Sequence, residues 1–126
     1  MIKHLDHFVL TVKSIAATCD FYRRALGFEA VTFEGRTALQ FGAHRINLHE
    51  LGKEFSPRAA KPTPGSGDFC LLADRPIEDV MAHLEGANIT IEEGPVARTG
   101  AAGALRSIYF RDPDGNLIEV SNPTSA

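Results

Sequence analysis

At 126 residues, the chain is long enough for one domain with its own core, and its formal net charge of −3 argues against a nucleic-acid groove or an anionic membrane surface as partner. Two cysteines, Cys19 and Cys70, without a paired CxxC spacing, point to a reducing compartment rather than a disulfide framework. No apolar run approaches the roughly 18 residues of a membrane span. The opening "MIKHLDHFVLTV" enters a strand pattern without the layout of a signal peptide, so a cytoplasmic protein is the expectation.

In chain order, "HFVLTV" (7–12) alternates as a strand, with His7, Val9 and Thr11 on one face and Phe8, Leu10 and Val12 on the other. "SIAATCDFYRRALGF" predicts a helix with Ser14 as N-cap and Gly27 at its stop. Strands are predicted at 28–33, 37–41 and 45–51, followed by the stiff, Gly- and Pro-rich linker "GKEFSPRAAKPTPGSG" (52–67). The pattern then restarts with a strand at 68–73. A helix follows at 77–87, opened by Pro76 and closed near Gly86, then strands at 88–93, 106–111 and 116–121. "GPVARTGAAGAL" (94–105) reads as a long glycine-rich loop, suited to a lid or to surface slack.

Each half is therefore strand, helix and three strands: module one over about 4–51, module two over about 68–122. The predicted class is α+β, with two tandem βαβββ modules forming cupped mixed sheets, a half-barrel with helices outside. Alternation assigns His7, Thr11, Asn47, His49, Asp68, Cys70, Tyr109, Arg111, Glu119 and Ser121 to the inward faces. A purely structural interior would be apolar, so these polar positions predict a site. Glu119, alone between Ile118 and Val120, needs either solvent or a compensating cation.

The "LDHFVLTV…FYRRALGF" opening and the "FRDPDGNLIEV" close resemble the vicinal oxygen chelate superfamily of glyoxalases, thiol transferases, extradiol dioxygenases and bleomycin-binding proteins. "RINLHELGKEF", "EEGPVARTGAAG" and "SIYFRDPDGNLIEVSN" are similar, more narrowly, to the glyoxalase domain-containing protein 5 group. The resemblance implies metal ligands on the first and last strands of each module. His7 and Glu119 match two such positions. Asp68 stands where the second module often has histidine. Asn47 stands where glyoxalase I has a glutamate, with His49 two residues on and facing the same way. Asp68 and His49 thus compete for the third ligand. The bland alternatives are a loop-capping aspartate and a cavity-wall histidine.

Arg111 and Tyr109 on one strand face, with Arg98 on the glycine-rich loop, are expected to contact substrate beside Asn47, since a guanidinium suits carboxylate or phosphonate. The bland reading of Arg111 is an ion pair with an acidic neighbour, and that of Arg98 a solvated charge. Cys70 reads as a small buried hydrophobe. Nitrogen and oxygen ligands suit Mn, Fe, Ni, Co or Zn, with Mg admitted if more water is kept. The implied function is a glyoxalase-, lyase- or transferase-like metalloenzyme on a small anionic substrate; no residue is assigned as general base. Its rivals are a metal-free sequestering protein of bleomycin-resistance type and an extradiol dioxygenase. The implied assembly is a homodimer with sites shared between chains.

Overall fold

The computed structural model describes residues 1–124. It divides into two compact units, residues 1–66 and Gly67 onward. The first holds β1 (His7–Val12), α1 (Ile15–Leu26), β2 (Glu29–Phe33), β3 (Arg36–Phe41) and β4 (His44–Glu50). Its sheet runs in the order β1-β4-β3-β2, with β1 parallel to β4 and the other pairs antiparallel.

The helix forms where the sequence signals it. Ser14 is extended and its Oγ accepts from Ala17 N at 3.1 Å. Gly27, at φ +70, adopts the left-handed conformation that ends a helix, and its N–H donates to Arg23 O at 3.0 Å. Phe21, Tyr22 and Ala25 are buried, as are Leu10, Val12, Leu39, Ile46 and Leu48 of the sheet. Tyr22 stacks on Phe28, and Phe28 on Phe41, with centroids 5.6 and 4.3 Å apart. The Glu50 carboxylate, at the end of β4, accepts from Ile15 N at 3.2 Å and so completes the helix start.

The second unit holds β5 (Asp68–Leu72), α2 (Ile77–Gly86), β6 (Glu93–Gly100), β7 (Gly103–Arg111) and β8 (Leu117–Pro123). Its sheet runs β5-β8-β7-β6, again with the first pair parallel. Ile77, Leu84, Ile108, Phe110, Ile118 and Val120 form its core. Asn122 Oδ1 accepts from Ile77 N at 2.7 Å. Glu50 lies at the end of β4 and Asn122 near the end of β8, so both units lock the helix start with their last strand. The α+β class and the two βαβββ modules, each with a mixed four-stranded sheet, are as expected.

Two expectations fail in the second unit. Of the strand expected over 88–93, residues 88–92 are not strand. Asn88 turns left-handed at φ +60, Ile89 is buried, and strand structure begins only at Glu93. The loop expected over 94–105 is instead a hairpin: β6 runs to Gly100, turns at Ala101 and Ala102, and returns as β7. A register break between Glu93 and Val96 carries Gly94 and Pro95, and these breakers masked the alternation of Val96 and Arg98 with Ala97 and Thr99.

The "DPDGN" turn is held from inside. Asp112 Oδ1 accepts from Asp114 N and Asn116 N at 2.9 and 3.0 Å, and Asn116 Nδ2 donates to Asp112 Oδ2 at 2.8 Å. Asn116 is buried, and its Oδ1 accepts from Gly67 N at 2.7 Å, tying the turn to the start of β5. Asn116→Ala therefore removes partners from both a carboxylate oxygen and a backbone N–H, and should cost about 2–3 kcal/mol in urea denaturation. A loss under about 0.5 kcal/mol would mean that this tie contributes nothing.

Candidate functional site

In the second unit, the sheet face opposite α2 is built in rows set by register. Cys70, Glu119, Tyr109 and Glu93 stand side by side across the four strands. The next row is Leu72, Ser121, Ser107 and Val96, and on the other side come Asp68, Leu117 and Arg111. Glu119 is half-buried, and its Oε2 accepts from Ser107 Oγ at 2.7 Å and Ser121 Oγ at 3.3 Å. The two hydroxyls lie 2.6 Å apart, and Cys70 Sγ lies 3.2 Å from Ser121 Oγ. Each thiol or hydroxyl carries one proton: Cys70 can donate to Ser121 and Ser107 donates to Glu119, while the single Ser121 proton is shared between Ser107 Oγ and Glu119 Oε2.

Cys70 is exposed, contrary to the buried role expected for it, because its row ends at an outer strand. Desolvation at the sheet pushes its thiol pKa up; the Ser121 contact opposes this, and Glu119 adds to it. This environment favours the neutral thiol over the thiolate. The Tyr109 hydroxyl is likewise pushed up, by desolvation first and by the Glu119 charge, with Arg98 opposing.

Arg98 sits on strand β6, not on a loop. Its Nε donates to Tyr109 Oη at 2.9 Å, Nη1 to Ala97 O at 2.9 Å and Nη2 to Glu93 Oε1 at 3.3 Å. Arg111 meets Glu92 as a fork, Nε to Oε1 and Nη2 to Oε2, both at 3.1 Å. Both arginines expected to contact substrate are thus engaged with neighbouring carboxylates. Arg111 follows its bland reading, although the partner is Glu92. Asp68 is exposed at the start of β5.

In the first unit, the face opposite α1 carries His7 beside Arg45, Val9 beside Asn47, and Thr11 beside His49. His7 is exposed, and its Nδ1 lies 2.7 Å from Asp6 Oδ1. In a neutral imidazole that donates Nδ1–H to Asp6, Nε2 carries the lone pair, the arrangement that prepares a histidine to bind a metal. The hydrogen bond to His7 holds the Asp6 carboxyl below its ordinary pKa. Asn47 Oδ1 is buried without a hydrogen-bond partner among the described residues. His49 is buried and meets the Phe55 ring edge-on, with centroids 5.8 Å apart.

The donors are of the right chemical type for a borderline divalent ion: an oriented imidazole, a carboxylate steadied by two hydroxyls and an orphaned amide oxygen. Among the described residues, however, no group of three or more His, Cys, Asp or Glu side chains could hold a metal ion. Sequence reading missed Asp6 and Ser107. Asp6 adjoins His7 in "LDH", and Ser107 follows from Tyr109 by alternation, so both signals were present.

A family model described as Glyoxalase/Bleomycin resistance protein/Dioxygenase superfamily matches residues 4–120. Virulence protein STM3117 of Salmonella typhimurium is 56% identical over 122 residues, covering 96% of this chain and 85% of that protein. Its crystal structure superposes with a TM-score of 0.97 at 54% identity, covering 98% of this chain and 99% of that one. Glyoxalase domain-containing protein RDO1 of Mycosarcoma maydis is 51% identical, covering 96% of this chain and 69% of that protein. Metallothiol transferase FosB of Staphylococcus epidermidis is 30% identical, covering 95% of this chain and 84% of that protein.

Proposed function

Because the chain belongs to the Glyoxalase/Bleomycin resistance protein/Dioxygenase superfamily, we propose that it is a small metal-dependent enzyme of glyoxalase, lyase or transferase type acting on a small anionic molecule. The observation that carries this reading is the 2.7 Å contact of His7 Nδ1 with Asp6, since in the neutral tautomer that donates Nδ1–H to Asp6 the ring's lone pair is on Nε2. The printed names of two relatives, a glyoxalase domain-containing protein and a metallothiol transferase, support the same type of chemistry.

In this reading His7 and Glu119 hold the ion, with Asp68 or His49 as third ligand. A divalent Mn, Fe, Ni, Co or Zn, or Mg with more water, would supply Lewis acidity to an oxygen-bearing substrate there. The residues around it have separate tasks. Ser107 and Ser121 fix Glu119 through Oε2. Tyr109, kept protonated, offers its hydroxyl to a developing negative charge. Asn47 Oδ1 awaits a donor. Among the described residues no complete set is gathered, and the reading draws the remaining ligands from a second copy, in a homodimer with shared sites. A monomeric mass in native mass spectrometry at micromolar concentration would remove that part.

The decisive experiment combines elemental analysis of freshly purified protein with thermal denaturation in Mn, Ni, Co and Zn. Binding to the native state alone adds about 2.7 kcal/mol at a hundredfold excess over Kd, so the midpoint should rise by several degrees. A second reading, a metal-free sequestering protein, is favoured by the lack of any three-ligand group among the described residues. A midpoint unmoved by all four ions, with no metal found in the protein, would establish it over the first.

A further inference from the structure

With Arg98 and Arg111 engaged, the anion-recognising charge of this protein has to come from elsewhere. On the face of the first sheet opposite α1, Arg36 lies with its guanidinium carbon 4.4 Å from the Phe55 ring centroid. Arg45 lies 4.6 Å from the Phe33 centroid, with Nη2 3.4 Å from Gln40 Oε1. Phe33 is the cross-strand partner of Arg36, and side chains in that relation start about 5 Å apart. Arg45 therefore reaches across the face and sets its charge over the ring that neighbours Arg36.

Neither guanidinium forms an ion pair among the described residues, while Arg23, Arg24, Arg75, Arg98, Arg106 and Arg111 all do. Asp6 feels Arg45 only weakly, after His7 and His4. Like charges on one sheet face repel, and stacking on a phenyl ring offsets only part of that. A planar fork without a carboxylate, pre-positioned on an aromatic ring, is ready for bidentate binding of an oxyanion. Two residues along β4 from Arg45, on the same face, Asn47 holds its unpartnered Oδ1. That atom can only accept, so it calls for a hydroxyl or N–H on the same ligand.

We propose that this face binds a small organic oxyanion, a phosphonate, phosphate or carboxylate, between Arg36 and Arg45, with a hydroxyl next to the charged group donating to Asn47 Oδ1. The inference deepens the anionic-substrate part of the reading above and needs no metal.

The test is a nuclear magnetic resonance titration of the full chain in EDTA, with methylphosphonate and hydroxymethylphosphonate as probes. Both should bind, the hydroxyl-bearing probe more tightly, with shifts centred on β3 and β4. Arg36→Gln/Arg45→Gln should weaken both by at least about tenfold. Arg45→Lys, which keeps charge but not the fork, should fall between. Asn47→Leu should abolish only the advantage of the hydroxyl. Arg58→Gln, on the segment after β4, should bind as the parent does. No binding to the parent, or parent-like binding by a folded double variant, overturns the proposal. Failure of the metal experiment with arginine-dependent binding intact defeats the metalloenzyme reading alone. A positive metal response with arginine-independent binding defeats this proposal alone.

Discussion

On the metalloenzyme reading, Glu119→Gln should yield a folded protein that no longer holds a divalent ion. The carboxylate is half-buried, and its Oε2 receives the hydroxyls of Ser107 at 2.7 Å and Ser121 at 3.3 Å. Glutamine keeps an oxygen for those hydroxyls and nearly the same shape, so the sheet loses no hydrogen-bond acceptor. What disappears is the negative charge, and a neutral amide is a poor ligand for a borderline ion. Metal content by mass spectrometry should fall by at least about tenfold. The metal-free variant should denature within about 0.5 kcal/mol of the metal-free parent, or above it, since an uncompensated charge has left a half-buried position. Undiminished metal content would end the ligand role of Glu119, whatever the variant's stability.

Gly94→Ala should destabilise the protein by more than about 3 kcal/mol. A Cβ at this position would lie 2.3 Å from Ser107 O and 2.9 Å from Ile108 Cα, and the residue sits at φ +106. Both obstacles are backbone of the paired strand β7, so no rotamer change relieves them. Gly103 is the matched control: at φ +140 it shares the unusual conformation, but nothing lies within 4 Å of its would-be Cβ. Gly103→Ala should lose only the conformational part, about 1–2 kcal/mol. Equal losses for the two variants in urea denaturation would mean that β7 yields to the methyl group. If β7 does move, it carries Ser107 with it and disturbs the hydrogen bond that steadies Glu119.

Much of this was legible in the chain. Ser14 and Gly27 bracket α1 because caps are local chemistry, readable within four residues. Alternation put Cys70, Tyr109 and Glu119 on one face, and the register aligns them in a single row. What escaped depends on partners remote in sequence. Arg111 finds Glu92 across 19 residues, and the helix starts find Glu50 and Asn122 across 35 and 45. No window along the sequence contains both members of such pairs. The hairpin over 93–111 escaped for a different reason, since Gly94, Pro95, Gly100 and Gly103 each read as a strand breaker when taken alone. Cross-strand pairing with β7 overrides that propensity.

The interruption at Gly94 and Pro95 also bears on how the protein behaves in a crowded solution. β6 is the outermost strand of its sheet and runs for eight residues, long enough to template further strands on its unpaired side. Pro95 has no N–H to offer a newcomer, and the break in register between Glu93 and Val96 bends the strand away from a straight ladder. A second chain trying to extend the sheet would meet a missing donor and a break in register. The residues that disguise this strand in the sequence are therefore also its defence against aggregation.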